Sequence, residues 1–375
     1  MANLALYRKY RPRSFGEVIG QEHVVQTLKN ALMHGMVSHA YLFCGPRGSG
    51  KTTLARLLAK TVNCENLGKD GLSAQAGEPC NRCSACQEIN AGKAMDLVEI
   101  DAASNRGIDE IRELKEGIKF MPVKLKYKVF VVDEAHQLTK EAANALLKTL
   151  EEPPSHAIFI LATTETHKMM GTIVSRCQRF DFRKLRLEEI VQRLGIVAKK
   201  ENLEIEKSAL ELIALSSGGS FRDAESILDK VSTSAAGAPM KRITADQVKE
   251  LLGLVDINLV TQLTQLLLEK KGREAMKFLS DTLEQGSDPH EFAKALVTHL
   301  RYAFLVKISP DLENVLLAGY TKEQKESMKK QTSLWEERDL QKAVELFLVA
   351  ENKMKFSYIP QLPLELAIIE TTERK

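Results

Sequence analysis

An α/β domain followed by an all-helical half is the fold that this sequence predicts. Three observations carry that expectation. Residues 41–58, YLFCGPRGSGKTTLARLL, run from an apolar stretch through a glycine-rich turn into a helical pattern. Short β-like runs then alternate with helical patterns as far as about Leu185, which argues for a parallel sheet with helices on both faces. Beyond Leu185 the β signal vanishes.

The totals set bounds on this reading. A chain of 375 residues suggests two or three domains. With 44% hydrophobic and 27% charged residues it has the composition of a globular chain with an ample core. No apolar run approaches the roughly 20 residues that a membrane span needs. The start, MANLALYRKYRPRSF, lacks the apolar core of a signal peptide. A cytoplasmic protein without a membrane partner is therefore expected. The net charge is only +3, so any contact with nucleic acid must come from local clustering of charge. Six cysteines without an export signal read as metal ligands or buried thiols before disulfides.

The first element is a basic lead-in, Tyr7-Arg8-Lys9-Tyr10-Arg11-Pro12, charged but without periodicity. It suits an arm for nucleic acid or a strap over a nucleotide base. A helix is expected from about Gln21 to His34, and a strand over Tyr41 to Cys44. Next, Gly45-Pro46-Arg47-Gly48-Ser49-Gly50-Lys51-Thr52 matches GxxxxGK[ST] between strand and helix. Glycines let the backbone approach a phosphate, its N–H groups converge on the anion, and the helix N-terminus adds partial positive charge. Lys51 is expected to reach the β- and γ-phosphates of ATP, and the Thr52 hydroxyl to ligate Mg²⁺. Thr53 completes the expected nucleotide-binding run from Gly45.

A cysteine cluster follows. Cys80-Asn-Arg-Cys83-Ser-Ala-Cys86 contains two overlapping C-x₂-C spacings, and Cys64 precedes it by fifteen intervening residues. Four thiolates can close a tetrahedral Zn²⁺ site with no position left for water, so the site is expected to be structural. Iron–sulfur ligation is the alternative chemistry for such a set. Cys44 and Cys177 lie in apolar stretches and read as buried thiols.

Further strands are expected over Val98 to Asp101, Lys128 to Asp133 and Ile158 to Thr164, with a helix from Lys140 to Leu150 ended by Pro153 and Pro154. Four apolar residues, Val129 to Val132, end in Asp133-Glu134. That pattern suits a buried parallel strand opening at the sheet edge where ligands bind. Asp133 is expected to hold Mg²⁺, and Glu134 to activate the attacking water as a general base. Asp133-Glu134-Ala135-His136 also spells a helicase signature, but the helical second half offers no second nucleotide-binding lobe. At the tip of the next strand, Thr164 is the candidate sensor of the γ-phosphate, with a plain strand-end cap as the alternative. Arg176, in Ser175-Arg176-Cys177, and Arg222, after a glycine turn, are candidates for stabilising transition-state charge. A surface ion pair is the alternative for each. Arg106, Arg112 and Lys148 are candidates for facing a DNA backbone, and solvated helix faces are the alternative there. After Leu185 short helices are expected, broken at Ser216–Ser220, with a loop over Ser232–Met240 and all-helical chain from Thr244.

Together these motifs resemble the AAA+ ATPases and, within them, the clamp-loader subunits of bacterial DNA polymerase III. The residues that carry the resemblance are Arg8 to Pro12 with Val18-Ile19-Gly20-Gln21, the phosphate loop, and the four-cysteine insert. Asn144 to Pro154, Ser175-Arg176-Cys177 and Gly219 to Asp223 carry it further. It is densest over residues 1–240 and continues to the end. It implies a RecA-like ATPase domain over 1–180 with a zinc-binding insert at about 62–90, a helical lid over 181–243 and a helical collar over 244–375. It implies that Arg11, Val18 and Ile19 contact adenine, that Arg222 senses ATP in its own subunit, and that Arg176 reaches the ATP of a neighbour. The partners implied are other clamp-loader subunits in a five-membered ring, the sliding clamp, primer–template DNA and, through accessory subunits, single-strand-binding protein. A nucleoid-associated place in the cytoplasm follows from that.

Longer members of the family carry further C-terminal domains that bind the helicase and the polymerase. A chain ending at Lys375 is thus expected to be the three-domain core or a truncated form of a longer member. The stretch Leu67 to Glu78, rich in Gly, Ser and Ala, is expected to be a mobile loop. The alternatives are a related stator subunit that no longer hydrolyses ATP and another AAA+ DNA motor such as a branch-migration ATPase. Intact Lys51, Thr52, Asp133 and Glu134 speak against the first, and the cysteine insert with Ser175-Arg176-Cys177 against the second.

Overall fold

The structure, a computed structural model, describes residues 4–67, 77–104, 116–235, 242–253, 255–312 and 321–373. Arg106, Arg112 and most of the Leu67–Glu78 loop lie outside the described residues. The chain divides into two compact units, Met1–Glu204 with Ile213–Lys241, and Ile205–Leu212 with Arg242–Lys375.

The first unit is built on five parallel strands: β1 (Ala40–Cys44), β2 (Leu97–Asp101), β3 (Lys128–Asp133), β4 (Ala157–Thr163) and β5 (Gln178–Asp181). They lie in the order β2-β3-β4-β1-β5. Strands β1 and β4 are buried along their whole length, and β3 is buried through Val129–Val132. A parallel sheet covered on both faces needs apolar side chains at successive positions, which is why these strands read as unbroken apolar runs. On one face Phe43, Val131 and Ile160 pack with Val24 and Leu28 of the helix Glu22–Met33 and with Leu54 and Leu58 of the helix Lys51–Val62. On the other, Leu42, Val132 and Leu161 pack with Leu146 and Leu150 of the helix Lys140–Glu151, and Phe130 stacks on Phe159 at 5.3 Å.

Register places the chemistry. Cys44 pairs with Thr163 and Asp101 with Asp133, so the C-terminal ends of β1 to β4 finish close together. The turn after β1 and the carboxylates after β3 therefore emerge at one edge, the usual ligand edge of an open α/β sheet.

One strand was not foreseen and one sequence expectation needs correction. Strand β5 gave no readable signal, because only Phe180 of Gln178-Arg179-Phe180-Asp181 is buried. It is an edge strand held by its pairing with β1 and by Phe180 packing edge-on against Phe43 at 5.8 Å. The loop expected from Ser232 begins later, since the helix Phe221–Ala235 runs through Ser232 and Thr233. Both hydroxyls donate to the Asp229 carbonyl at 2.8 Å, a local bond that lets small polar residues sit inside a helix. Residues 236–241 lie outside the described residues.

The second unit holds helices Ala245–Leu252, Ile257–Leu268, Gly272–Glu284, Pro289–Ile308, Lys322–Leu334, Glu337–Met354 and Leu362–Glu373. Leu263, Leu296, Leu300, Trp335 and Phe347 lie in its core. Pro289 starts a helix rather than breaking one. It occupies the first turn, where its missing N–H is not needed, and the Asp288 side chain caps His290 and Glu291. Among the described residues no single helix is long and apolar enough to cross a membrane.

Candidate nucleotide and metal sites

The phosphate loop is shaped by what its glycines allow. Gly45 and Gly48 have φ of +149° and +75°. A Cβ on Gly45 would meet the Phe182 carbonyl oxygen at 2.4 Å, and one on Gly48 would meet Ser220 Oγ at 2.0 Å. The loop is thus pressed between the end of β5 and the start of the helix Phe221–Ala235, and the Phe221 N–H donates to the Gly48 carbonyl at 3.3 Å. Gln21, fully buried, ties the loop from below, its Nε2 donating to Ser49 O at 3.3 Å and Arg183 O at 2.8 Å.

Lys51 opens the helix after the loop and is buried. Its Nζ donates to the carbonyls of Gly45 and Pro46 at 2.7 and 2.9 Å. Burial lowers its pKa, and the Glu134 and Asp133 carboxylates pull the other way. An ammonium held among carbonyls beside a cavity is ready to exchange them for phosphate oxygens. The Thr52 hydroxyl donates to Asp133 Oδ2 at 2.9 Å. A hydroxyl from the loop helix and a carboxylate from β3 thus share one spot, the donor chemistry that suits Mg²⁺.

Glu134 adopts φ +48°, an uncommon left-handed conformation for a non-glycine residue. Its Oε2 accepts from the Thr164 hydroxyl at 2.9 Å. His136, buried, lies 3.5 Å from Glu134 and from Glu165, and bonds Thr163 Oγ1 at 3.0 Å. Sequence reasoning passed over His136 because it appeared only as the last letter of a helicase-like string.

Lys51, Thr52, Asp133 and Glu134 border a cavity of about 190 Å³. Arg11, Val18 and Ile19 line it, as do Arg47 to Thr53, Asp133, Glu134 and Arg222. The lead-in therefore lies along the cavity, with Tyr7 and Pro12 in its wall. Arg222 lies over the Tyr7 ring at 4.8 Å. Arg193 fastens the lead-in to the helical segment behind it, donating to the Tyr10 carbonyl at 2.6 Å and lying over the Phe221 ring at 5.6 Å. Glu225 also lines the cavity and was not foreseen, since a carboxylate one turn into an amphipathic helix reads as a solvated face.

Gly45, Pro46, Thr164 and Arg176 are not in the cavity wall. The first two act through their carbonyls on Lys51 and the third through Glu134. Arg176 does neither. It donates to the Thr172 carbonyl at 2.8 Å and pairs with Glu151 at 2.5 Å. Lys148 is exposed on the helix Lys140–Glu151.

The sulfurs of Cys64, Cys80, Cys83 and Cys86 all lie within 4.8 Å of one another, and Cys80 and Cys86 are 4.0 Å apart. A tetrahedral ion with metal–sulfur bonds of about 2.3 Å needs sulfurs roughly 3.8 Å apart, so the cluster suits a metal. Backbone N–H groups of Cys80, Cys83 and Cys86 point at neighbouring sulfurs at 3.3–3.5 Å, an arrangement that favours thiolates. Cys44 is buried and Cys177 half-buried, and burial pushes the Cys177 thiol up to about 12.

The cluster is joined to the phosphate-loop helix through Lys60, which is buried. Its Nζ donates to the Arg13 carbonyl at 2.7 Å, Asn81 Oδ1 at 2.7 Å and Asn90 Oδ1 at 2.9 Å. Asn81 sits between two of the cysteines, and Arg13 follows the cavity-lining Arg11 and Pro12. One ammonium thus joins helix, cysteine loop and lead-in.

Three family models match the chain. They are "DNA polymerase III, delta subunit" over residues 20–186, "DNA polymerase III clamp loader subunit, ATPase lid domain" over 189–237, and "DNA polymerase III subunits gamma and tau domain III" over 243–373. The chain is similar to DNA polymerase III subunit tau of Bacillus subtilis, at 41% identity over 370 residues, which is 99% of this chain and 63% of that protein. It is similar to DNA polymerase III subunit gamma/tau of Mycobacterium tuberculosis at 36% identity, over 96% of this chain and 61% of that protein. It is also similar to DNA polymerase III subunit gamma of Buchnera aphidicola at 34% identity, over 97% of each chain. The chain thus spans about three fifths of the length of the first two relatives.

Proposed function

The chain belongs to the family of DNA polymerase III gamma and tau subunits, and from that premise we propose that it is an ATP-hydrolysing motor subunit of a clamp loader. On this reading its work is to help open a sliding clamp and place it on primed DNA. The observation that carries the reading is the convergence of Lys51, Thr52, Asp133, Glu134 and Arg222 on one cavity beside a glycine loop. A subunit that only braced its neighbours would have no use for a water-activating carboxylate held there.

Each residue then has a task. The loop N–H groups and Lys51 hold the phosphates, and Arg11, Val18 and Ile19 wall the base. Thr52 and Asp133 would hold Mg²⁺, which would offset the charge of the phosphates. Glu134 takes the proton of the attacking water, and Thr164 keeps its carboxylate aimed. Arg222 senses ATP in the same subunit. Arg176, paired with Glu151 and outside the cavity wall, acts on a neighbouring subunit in a five-membered ring. The four cysteines hold Zn²⁺ as a closed structural site, which steadies the lead-in through Lys60 and Arg13. The ATPase domain spans 1–180, the lid 181–243 and the collar 244–375. Lys148 is the described candidate for a DNA-backbone contact, a contact without base preference.

The test is ATP turnover by the reconstituted complex, with and without clamp and primed DNA. Turnover that rises when both are added supports the proposal. A complex that forms but neither binds nor turns over ATP at this subunit rejects it.

A further inference from the structure

Glu225 lies in the nucleotide cavity yet has no part in the chemistry above. It is only 3% exposed, and its Oε1 has no hydrogen-bond partner. Arg193 is the charge nearest in effect, but its guanidinium is committed to the Tyr10 carbonyl and the Phe221 ring. Burial accordingly pushes the Glu225 carboxyl up to about 8. A buried carboxyl oxygen without a partner destabilises a fold. Its orphaned acceptor is explained if a ligand supplies the missing donor.

Position tells which part of the ligand that is. The helix Phe221–Ala235 begins against the phosphate loop, where Phe221 N–H meets the Gly48 carbonyl. Glu225 stands four residues on, about 6 Å further along the helix axis. It shares the cavity wall with the apolar Val18, Ile19 and Leu185. The wall also carries the charged Arg11, Glu17 and Glu189, but Val18, Ile19 and Leu185 are its aliphatic part, which suits a base rather than a triphosphate.

We propose that Glu225 is a specificity-determining residue that reads the base, its carboxyl oxygen accepting a hydrogen bond from the exocyclic amino group of adenine. The proposal rests on the ATP reading above. Above about pH 8, where the carboxyl is ionised and can only accept, a base with a keto oxygen at that position would set one acceptor against another. A site built around a hydrogen bond rejects the analogue that lacks the donor far more strongly than an apolar pocket rejects a misfit.

The test measures binding, at pH 9 where the wild-type carboxyl is ionised, of ATP and of inosine triphosphate, which has a keto oxygen where ATP has the amino group. The full chain is used, as wild type, Glu225→Leu and Glu225→Gln. The wild type should favour ATP by about 10-fold or more, the scale of one buried hydrogen bond. Glu225→Leu should bring the ratio towards one, while the ligand-free protein melts higher than wild type because the orphaned carboxyl is gone. Glu225→Gln should bind inosine triphosphate better than wild type does, since its amide can donate to the keto oxygen. This arm decides the matter if the leucine variant folds poorly. An ATP preference unchanged in the folded variants overturns the inference and leaves the ATP reading standing. A wild type that binds neither nucleotide overturns both.

Discussion

The Thr164 hydroxyl donates to Glu134 Oε2 at 2.9 Å, joining the tip of β4 to the carboxylate that follows β3. Two residues 30 positions apart, each a candidate on sequence grounds for a different task, form one unit. The hydroxyl fixes where the carboxylate points. Glu134→Gln should therefore bind ATP but hydrolyse it about 10²–10⁴-fold more slowly, the usual range for loss of a general base. Thr164→Val should slow the chemical step while leaving ATP affinity nearly unchanged. Single-turnover rates check both, and a wild-type rate in the Glu134 variant rejects it as the base.

Lys51→Ala and Thr52→Ala should each abolish ATP-dependent activity while the chain stays folded. The Lys51 side chain bonds two loop carbonyls beside the cavity, and the Thr52 hydroxyl bonds a cavity-lining carboxylate. Neither therefore anchors the apolar core. Circular dichroism and nucleotide binding decide the point, and unaltered affinity and turnover in the Lys51 variant would count against the site.

Freshly purified protein should carry one Zn²⁺ per chain. Elemental analysis showing iron, or no metal, contradicts this. Cys83→Ser should lose the metal and lower thermal stability, because metal binding energy at such sites is folding energy. Lys60→Met should keep the metal but weaken nucleotide binding, since it removes one of two donors to the Arg13 carbonyl and leaves only Asn81 Nδ2 to join the cysteine loop to the lead-in.

Stability should depend on pH through Glu225. Its carboxyl titrates at about 8 when folded and at about 4.5 when unburied. Between those values the folded chain keeps a proton that the unfolded chain has released. Stability from this group is therefore full below about 4.5, falls as pH rises through the window, and levels off above about 8. The slope is at most about 1.4 kcal/mol per pH unit. The difference between urea midpoints of wild type and Glu225→Leu should widen across that range, and a constant difference would contradict it.

Much of the first unit was legible because its chemistry is local in sequence. The phosphate loop, its strand and its helix are consecutive, and buried parallel strands such as Val129–Val132 announce themselves as apolar runs. The four cysteines were legible by spacing alone. What escaped depends on contacts between distant segments. Edge strand β5 buries one residue in four, so its pattern is mute until it pairs with β1. Lys60 and Glu225 look like ordinary charges on helix faces, and only the packing of the lead-in and the lid segment makes them buried. The roles of His136 and Gln21 likewise arise from partners that no motif links to them.

The proposed function makes this subunit one motor in a ring whose sites are shared between subunits. Arg176 is the residue to test, because in its own chain it pairs with Glu151 and does not line the cavity. Two defective proteins, Lys51→Ala and Arg176→Ala, are mixed in one reconstituted assembly and ATP turnover is measured. If the arginine acts on a neighbour, some interfaces pair an intact loop with an intact arginine, and turnover should rise well above either parent. An arginine finger is worth about 10³–10⁵-fold in turnover, so even a minority of such interfaces gives a clear signal. A mixture that demonstrably co-assembles yet stays as inactive as its parents would contradict the claim.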